Sequence, residues 1–169
     1  MAALAGALAI APGRVLATTE GRGERVLSFV HAHTGERLSI AYWADGDYLA
    51  PGLARIDRFL RDFRTGESHA IDPALLDQLH GLRRATGSSA PFQVISGYRS
   101  PETNEALRAH RGGQARRSLH MQGRAIDVRL ADVRSAVLRD AALELGLGGV
   151  GFYRTQDFVH VDTGPARHW

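Results

Sequence analysis

The chain has 169 residues and a mass of 18.3 kDa, one domain's worth of sequence with room for a short appendage. Its 44% hydrophobic and 23% charged residues exclude disorder over the whole length, and the absence of cysteine excludes disulfides, cysteine catalysis and thiolate metal sites. The net charge is +3, yet all 21 basic residues are arginine and none forms a dense block, so nucleic-acid binding is not expected; a mildly basic surface suits other anionic polymers, cell-wall material included.

From Ala2 to Ala11 the chain is a run of small and apolar residues ending at Pro12. It has the length and character of the apolar part of an export signal, but the first arginine, Arg14, follows it rather than precedes it. Residues 1–24 are therefore expected to be the remnant of an export signal and a linker, with a frayed helical start as the alternative. The run is too short to span a membrane, so no stable insertion is expected once a signal is removed. Residues 25–30 and 37–43 are rich in strand-favouring side chains around a turn at His33–Glu36, which predicts a hairpin. Apolar residues at 53, 56, 59, 60 and 63 predict an amphipathic helix over 53–63. Asp72 and Pro73 are a helix cap and first residue, and Leu75, Leu76, Leu79 and Leu82 form the buried stripe that follows.

In the second half, 92–96 reads as a strand, 97–101 as a turn, and Pro101 opens a helix to His110 with Glu102 in its first turn. Residues 111–117 read as a polar loop, 125–130 and 158–161 as strands, and 133–145 as a helix closed by the glycine-rich stretch 146–151. The mixture points to an α+β domain over 25–169, with a small, mostly antiparallel sheet and flanking helices.

Two segments carry chemistry. In Ser118-Leu-His-Met-Gln-Gly-Arg-Ala-Ile-Asp127, a bend at Gly123 separates His120 from a strand. Along that strand Ile126, Val128 and Leu130 share the face that must reach the core, which leaves Asp127 on the other. In Asp157-Phe-Val-His-Val-Asp162, Val159 and Val161 face the core, and Phe158, His160 and Asp162 face away. Two such strands in one sheet set Asp127 beside His160, within reach of His120 on the entering loop. Two imidazoles and a carboxylate with a fourth position free are the ligand set of a catalytic zinc. An ordinary ion pair of Asp127 with Arg124 or Arg129, and a structural strand histidine, are the alternatives. His31, His33, His69, His80 and His110 have no acidic or histidine partner at a recurrent ligand spacing, and no role is assigned to them.

The stretches Ser96-Gly-Tyr-Arg-Ser-Pro101, Ser118-x-His120-x-x-Gly123-x-Ala125-x-Asp127 and Phe158-Val-His-Val-Asp-Thr-Gly164 resemble the zinc D-alanyl-D-alanine peptidases and murein endopeptidases. That clan also contains the lysostaphin-type peptidases and the hedgehog signalling domain. The resemblance implies a hedgehog-like α+β fold, Zn2+ held by His120, Asp127 and His160, a peptidoglycan peptide as substrate, and a periplasmic or envelope location. It implies Asp157, three residues before the last ligand, as the acid that moves the proton. Strand parity argues otherwise, since Asp157 should point away from His160; Asp162 is the substitute base or a partner of His160. The resemblance also implies that Arg99 stabilises the developing oxyanion, with an ion pair to Glu102 as its structural alternative. Ser118 fits a substrate-binding or loop-stabilising hydroxyl. The activity implied is hydrolysis of peptide cross-links, with a D,D-carboxypeptidase or dipeptidase, or a zinc-containing binding module without catalysis, as alternatives.

Overall fold

The computed structural model describes residues 23–111 and 115–169. The expected export-signal remnant at 1–24 lies almost wholly outside the described residues. The elements in chain order are β1 (Glu24–His31), β2 (Arg37–Ala44), β3 (Asp47–Tyr48), α1 (Ala50–Phe59), α2 (Pro73–Thr86), β4 (Phe92–Ser96), α3 (Pro101–Arg111), β5 (Ala125–Leu130), α4 (Ser135–Leu145), β6 (Gly149–Tyr153), β7 (Phe158–Asp162) and β8 (Arg167–His168). The fold is α+β. Among the described residues, eight strands form one sheet in the order β3-β2-β1-β4-β5-β7-β6-β8. The sheet is larger than the sequence implied and mixed rather than mostly antiparallel, because β1 runs parallel to β4 and β6 parallel to β8.

The core forms where the apolar faces of the strands meet the helices. Ile126 and Val128 of β5 and Val159 and Val161 of β7 are fully buried, as are Leu75, Leu76, Leu79 and Leu82 of α2 and Leu138 of α4. Burying one such leucine side chain is worth about 1.5–3 kcal/mol, so this stripe commits α2 to the sheet. Asp72 caps α2 by accepting from the Ala74 N–H at 3.0 Å, and Gly87 closes it in the left-handed conformation that glycine adopts without penalty.

Four elements depart from expectation, the two-residue β3 among them. The first helix runs from Ala50 to Phe59 rather than over 53–63. Pro51 presets its first turn, and the chain leaves the helix at Leu60, whose carbonyl accepts the Tyr98 N–H at 2.8 Å. Strand β6 begins in the stretch read as glycine-rich closure, and β8 lies where no element was expected. A Cβ on Gly151 would lie 2.7 Å from the Trp169 ring, so a glycine that reads as a strand breaker is demanded by packing.

Two contacts aim the loops of the site. The β4–α3 turn lies against the end of α1, where a Cβ on Gly97 would stand 2.5 Å from the Leu60 carbonyl oxygen. Buried Asp62 accepts from both the backbone N–H and the hydroxyl of Ser100, each at 2.9 Å, and so holds the residue next to Arg99.

Candidate metal centre

The β5–β7 register pairs Asp127 with His160 directly across the antiparallel ladder. Their side chains leave the sheet on the face opposite Ile126, Val128, Val159 and Val161. His120 comes from a 3-10 turn over Leu119–Gln122, opened by Ser118 and closed by Gly123. The Ser118 side chain accepts from the His120 N–H at 3.4 Å, and Ser118 also lines the cleft above the cluster. Gly123 is left-handed, with φ 66°, and any Cβ there would meet the Ala70 carbonyl at 2.1 Å.

The three side chains converge. His160 Nδ1 lies 2.9 Å from Asp127 Oδ1, His120 Nε2 lies 3.3 Å from the same oxygen, and the two nitrogens are 3.2 Å apart. All three residues are buried. The outer nitrogens are committed elsewhere. His120 Nδ1 donates to the Gly97 carbonyl at 2.7 Å, and His160 Nε2 donates to Asp162 Oδ2 at 2.9 Å. Both inward nitrogens therefore present lone pairs to one point beside a carboxylate oxygen, an arrangement that calls for a cation between them. Ligand bonds of about 2.0–2.1 Å in tetrahedral geometry set ligand atoms about 3.3–3.4 Å apart, so this triangle has nearly the size of one face of a zinc site. The residues fit the metal implied by the sequence.

Electrostatics agree for Asp127 and His120, whereas His160, buried between Asp127 and Asp162, is raised by its bonds to both and favours its proton until a cation takes the place of that proton. Burial alone would push the Asp127 carboxyl up, but the facing His120 and His160 outweigh it and hold it well below the ordinary range. Burial lowers His120 and so favours the neutral imidazole that a metal requires. Asp162 is fully buried, and burial pushes its carboxyl up; bonds from His160, Arg167 and the Gly164 N–H overcome this and hold it ionised. It also accepts from the Gly149 N–H at 3.1 Å. Asp162 thus holds the outer nitrogen of His160 and is not among the residues that line the cleft. Outer carboxylates of this kind typically contribute 10- to 100-fold in metal affinity. Asp162→Ala is accordingly expected to weaken zinc binding by about that factor, read by competition with a chelating dye, while His160 remains in place to ligate.

An open cleft of about 360 Å³ lies over the cluster, lined also by Arg99, Arg117, Tyr153, Phe158 and Trp169. Arg99 is buried, with Nη2 3.5 Å from Asp127 Oδ2 and Nε donating to Ser96 Oγ at 3.2 Å. These contacts replace the anticipated alternative of an ion pair with Glu102.

Asp157 is not brought to this cluster. It sits in the β6–β7 turn with φ 55°, its side chain 67% exposed. Its carboxylate accepts from Ser135 Oγ and lies 3.9 Å from Arg129 Nη1. It lines a separate cavity with Leu130, Asp132 and Phe152. Strand alternation accounts for this: three residues before His160 is the wrong parity, and the left-handed turn does not reverse it. Sequence reasoning missed Tyr153 and Trp169. Tyr153 ends a strand it did not recognise and Trp169 follows another, although Tyr153, two residues beyond Gly151, shares the face that Gly151 sets opposite His160.

A family model described as Peptidase_M15_2: Peptidoglycan L,D-endopeptidase MepK matches residues 19–169. Peptidoglycan L,D-endopeptidase MepK of Escherichia coli (strain K12) is 42% identical over 161 residues, covering 95% of this chain and 88% of that protein. Probable peptidoglycan L,D-endopeptidase MepK of Haemophilus influenzae is 39% identical over 163 residues, covering 96% and 88%. The solved structure of Serratia marcescens L-Ala D-Glu endopeptidase ChiX aligns with a TM-score of 0.38 at 24% identity, over 54% of this chain and 79% of that one. Matched over nearly its whole length by the family model and by relatives well above 30% identity, the chain belongs to the Peptidase_M15_2 family of MepK-type peptidoglycan L,D-endopeptidases.

Proposed function

We propose that this protein is a zinc-dependent peptidoglycan endopeptidase that hydrolyses L,D peptide bonds in cell-wall cross-links. The observation that carries the reading is the convergence of His120, Asp127 and His160 at the base of an open cleft, in a chain of this family. A zinc ion held by those three residues supplies Lewis-acid polarisation of the scissile carbonyl and acidifies the attacking water. The chain's own residues orient the ligands, stabilise charge and exclude water. Gly97 and Asp162 fix the tautomers of the two imidazoles, so that both ligating nitrogens stay unprotonated. Arg99, anchored by Ser96 and Asp127, directs its guanidinium charge to the oxygen that becomes negative as the carbonyl is attacked. Phe158 and Trp169 give the cleft apolar walls against which a peptide excludes water.

Asp157 takes no part in this reaction. Asp157→Asn is expected to keep turnover within about threefold of wild type, whereas a true general base would cost about a hundred- to ten-thousand-fold. Initial rates on the same substrate decide the point. With Asp157 set aside, its presence no longer separates an enzyme from a binding module, and turnover itself must do so. The open cleft favours an endopeptidase over a carboxypeptidase, which needs a closed pocket around a free terminal carboxylate.

Residues 25–169 are proposed as the peptidase domain, acting in the periplasm or cell envelope where peptidoglycan lies. No helix among the described residues is long and apolar enough to cross a membrane. The test is incubation of the purified, zinc-loaded protein with isolated peptidoglycan, with and without chelator, followed by separation of the released muropeptides. Release that stops with chelator and resumes with added zinc is expected; release unchanged by a chelator that removes the metal would overturn the zinc mechanism.

A further inference from the structure

The cleft is short of groups that can act on a substrate. Among the described residues lining it, Asp127 is the only carboxylate. Both its oxygens are engaged, Oδ1 by the two histidines and Oδ2 by Arg99. Asp157 lines another cavity, and Asp162 is sealed by His160, Arg167 and two backbone N–H groups. Chemistry on the substrate therefore falls to donors, and one of them has no role in the reaction as described so far.

Tyr153 ends β6 and pairs across the ladder with Phe158, as Gly151 pairs with His160. Alternation puts Tyr153 and Gly151 on one face, the face of the metal centre. The absence of a side chain at Gly151 admits the Trp169 ring, which rests 5.3 Å from the His160 ring. Trp169 Nε1 then donates to the Tyr153 hydroxyl oxygen at 3.3 Å. The Tyr153 ring stacks on Phe158, centroids 4.5 Å apart and planes within 15°. The phenol is held on two sides and its oxygen already accepts a hydrogen bond. Its own proton must be donated elsewhere, and the cleft is what it borders.

We propose that Tyr153 is a catalytic hydrogen-bond donor, which works alongside Arg99 on the oxygen of the scissile carbonyl as that oxygen gains negative charge. The inference rests on the endopeptidase reading and adds to it a second donor, from a strand outside the sequence motifs. A donor that is already oriented before the substrate arrives pays little reorganisation at the moment of reaction, which is where such groups gain their catalytic value. No proton changes owner in this role: the hydroxyl shortens a hydrogen bond to an oxygen that becomes anionic and lengthens it again as the carbonyl re-forms.

Tyr153→Phe removes the hydroxyl and keeps the stacked ring. It is expected to lower kcat by about a hundredfold, the scale for loss of one oxyanion donor, with KM, zinc content and melting temperature unchanged. A phosphinate isostere of the scissile dipeptide carries tetrahedral anionic oxygens, and its affinity should fall by the same factor as kcat/KM. That affinity is read by calorimetry on the zinc-loaded protein, without turnover. If the hydroxyl served only to anchor Trp169, Trp169→Phe would reproduce the Tyr153→Phe defect in full, and phosphinate affinity would not track the rate. Wild-type kcat in Tyr153→Phe, or an unchanged phosphinate affinity, would overturn the proposal. A zinc-loaded wild type that releases no muropeptides counts instead against the endopeptidase reading, because the Tyr153 comparison is made between variant and wild type.

Discussion

His120→Ala and His160→Ala are each expected to take zinc from about one ion per chain to near zero and to abolish muropeptide release. The size of the effect follows from the ligand count. Three protein ligands with one open position are the minimum that catalytic zinc sites use, and removal of either imidazole leaves two. The remaining pair cannot compensate, because the site is buried and its other nearby donors are spoken for: Asp162 by Arg167 and two backbone N–H groups, Arg99 by its positive charge. His110, exposed on α3, supplies the control, and His110→Ala should keep full zinc and full activity. His120→Ala also leaves the Gly97 carbonyl without its donor, an added cost of about 1–3 kcal/mol in stability for a buried acceptor. His160→Ala leaves Asp162 its other partners, so the two variants should lose zinc alike but differ in melting temperature. Elemental analysis on folded protein is the measurement. Full zinc in the double variant would remove the site.

How far this site could be read from the sequence depends on whether a residue's role is set by local geometry or by distant contacts. Period-two alternation placed Asp127 and His160 on the non-core faces of their strands, and the register sets them directly opposite one another. The same rule spoke against Asp157, which the spacing of the family motif nevertheless kept as the catalytic acid, and the left-handed turn at Asp157 left that parity intact. Alternation also put Asp162 on the His160 face. What it could not supply was the environment: the Gly149 N–H, from a stretch read as glycine-rich closure, and the Arg167 guanidinium, from a stretch given no element, both bond the Asp162 carboxylate. Strand β6 was illegible for a related reason. Its glycines read as chain breakers, yet Gly149 and Gly151 are where the side chains of Arg167, Asp162 and Trp169 press closest to the backbone. The two-residue β3 and β8 are too short to carry a periodic signal at all. The first helix was recognised by its apolar spacing but misplaced at its end, because the bond from Tyr98 to the Leu60 carbonyl is made by a loop nearly forty residues on.

Arg99→Ala is expected to lower kcat by about a hundredfold or more while leaving zinc content and folding intact. The reason for separating the two effects lies in the contacts of the guanidinium. It touches Asp127 through Oδ2, whereas the imidazoles gather around Oδ1, so its loss takes no ligand from the metal. Burial pulls the Arg99 pKa down and the facing Asp127 pushes it back, but a guanidinium stays charged through any such shift. The charge is thus a fixed feature of the cleft, and in the proposed mechanism its value is realised only when the carbonyl oxygen becomes anionic. Arg99→Lys should recover part of the rate and no more. A lysine ammonium carries the charge but not the planar fork that bonds Ser96 with one nitrogen while presenting others to Asp127 and the substrate. Ser96→Ala should lie between wild type and Arg99→Lys, since it loosens the anchor and leaves the guanidinium. Glu102→Ala, on the exposed first turn of α3, should match wild type, because the contacts of Arg99 run to Ser96 and Asp127 instead. The decisive measurement is kcat beside melting temperature and zinc content on these four variants. If Arg99→Ala and Glu102→Ala lose stability equally, with turnover per folded molecule unchanged, Arg99 is a structural ion-pair partner and the oxyanion charge must be met by Tyr153 and the metal alone.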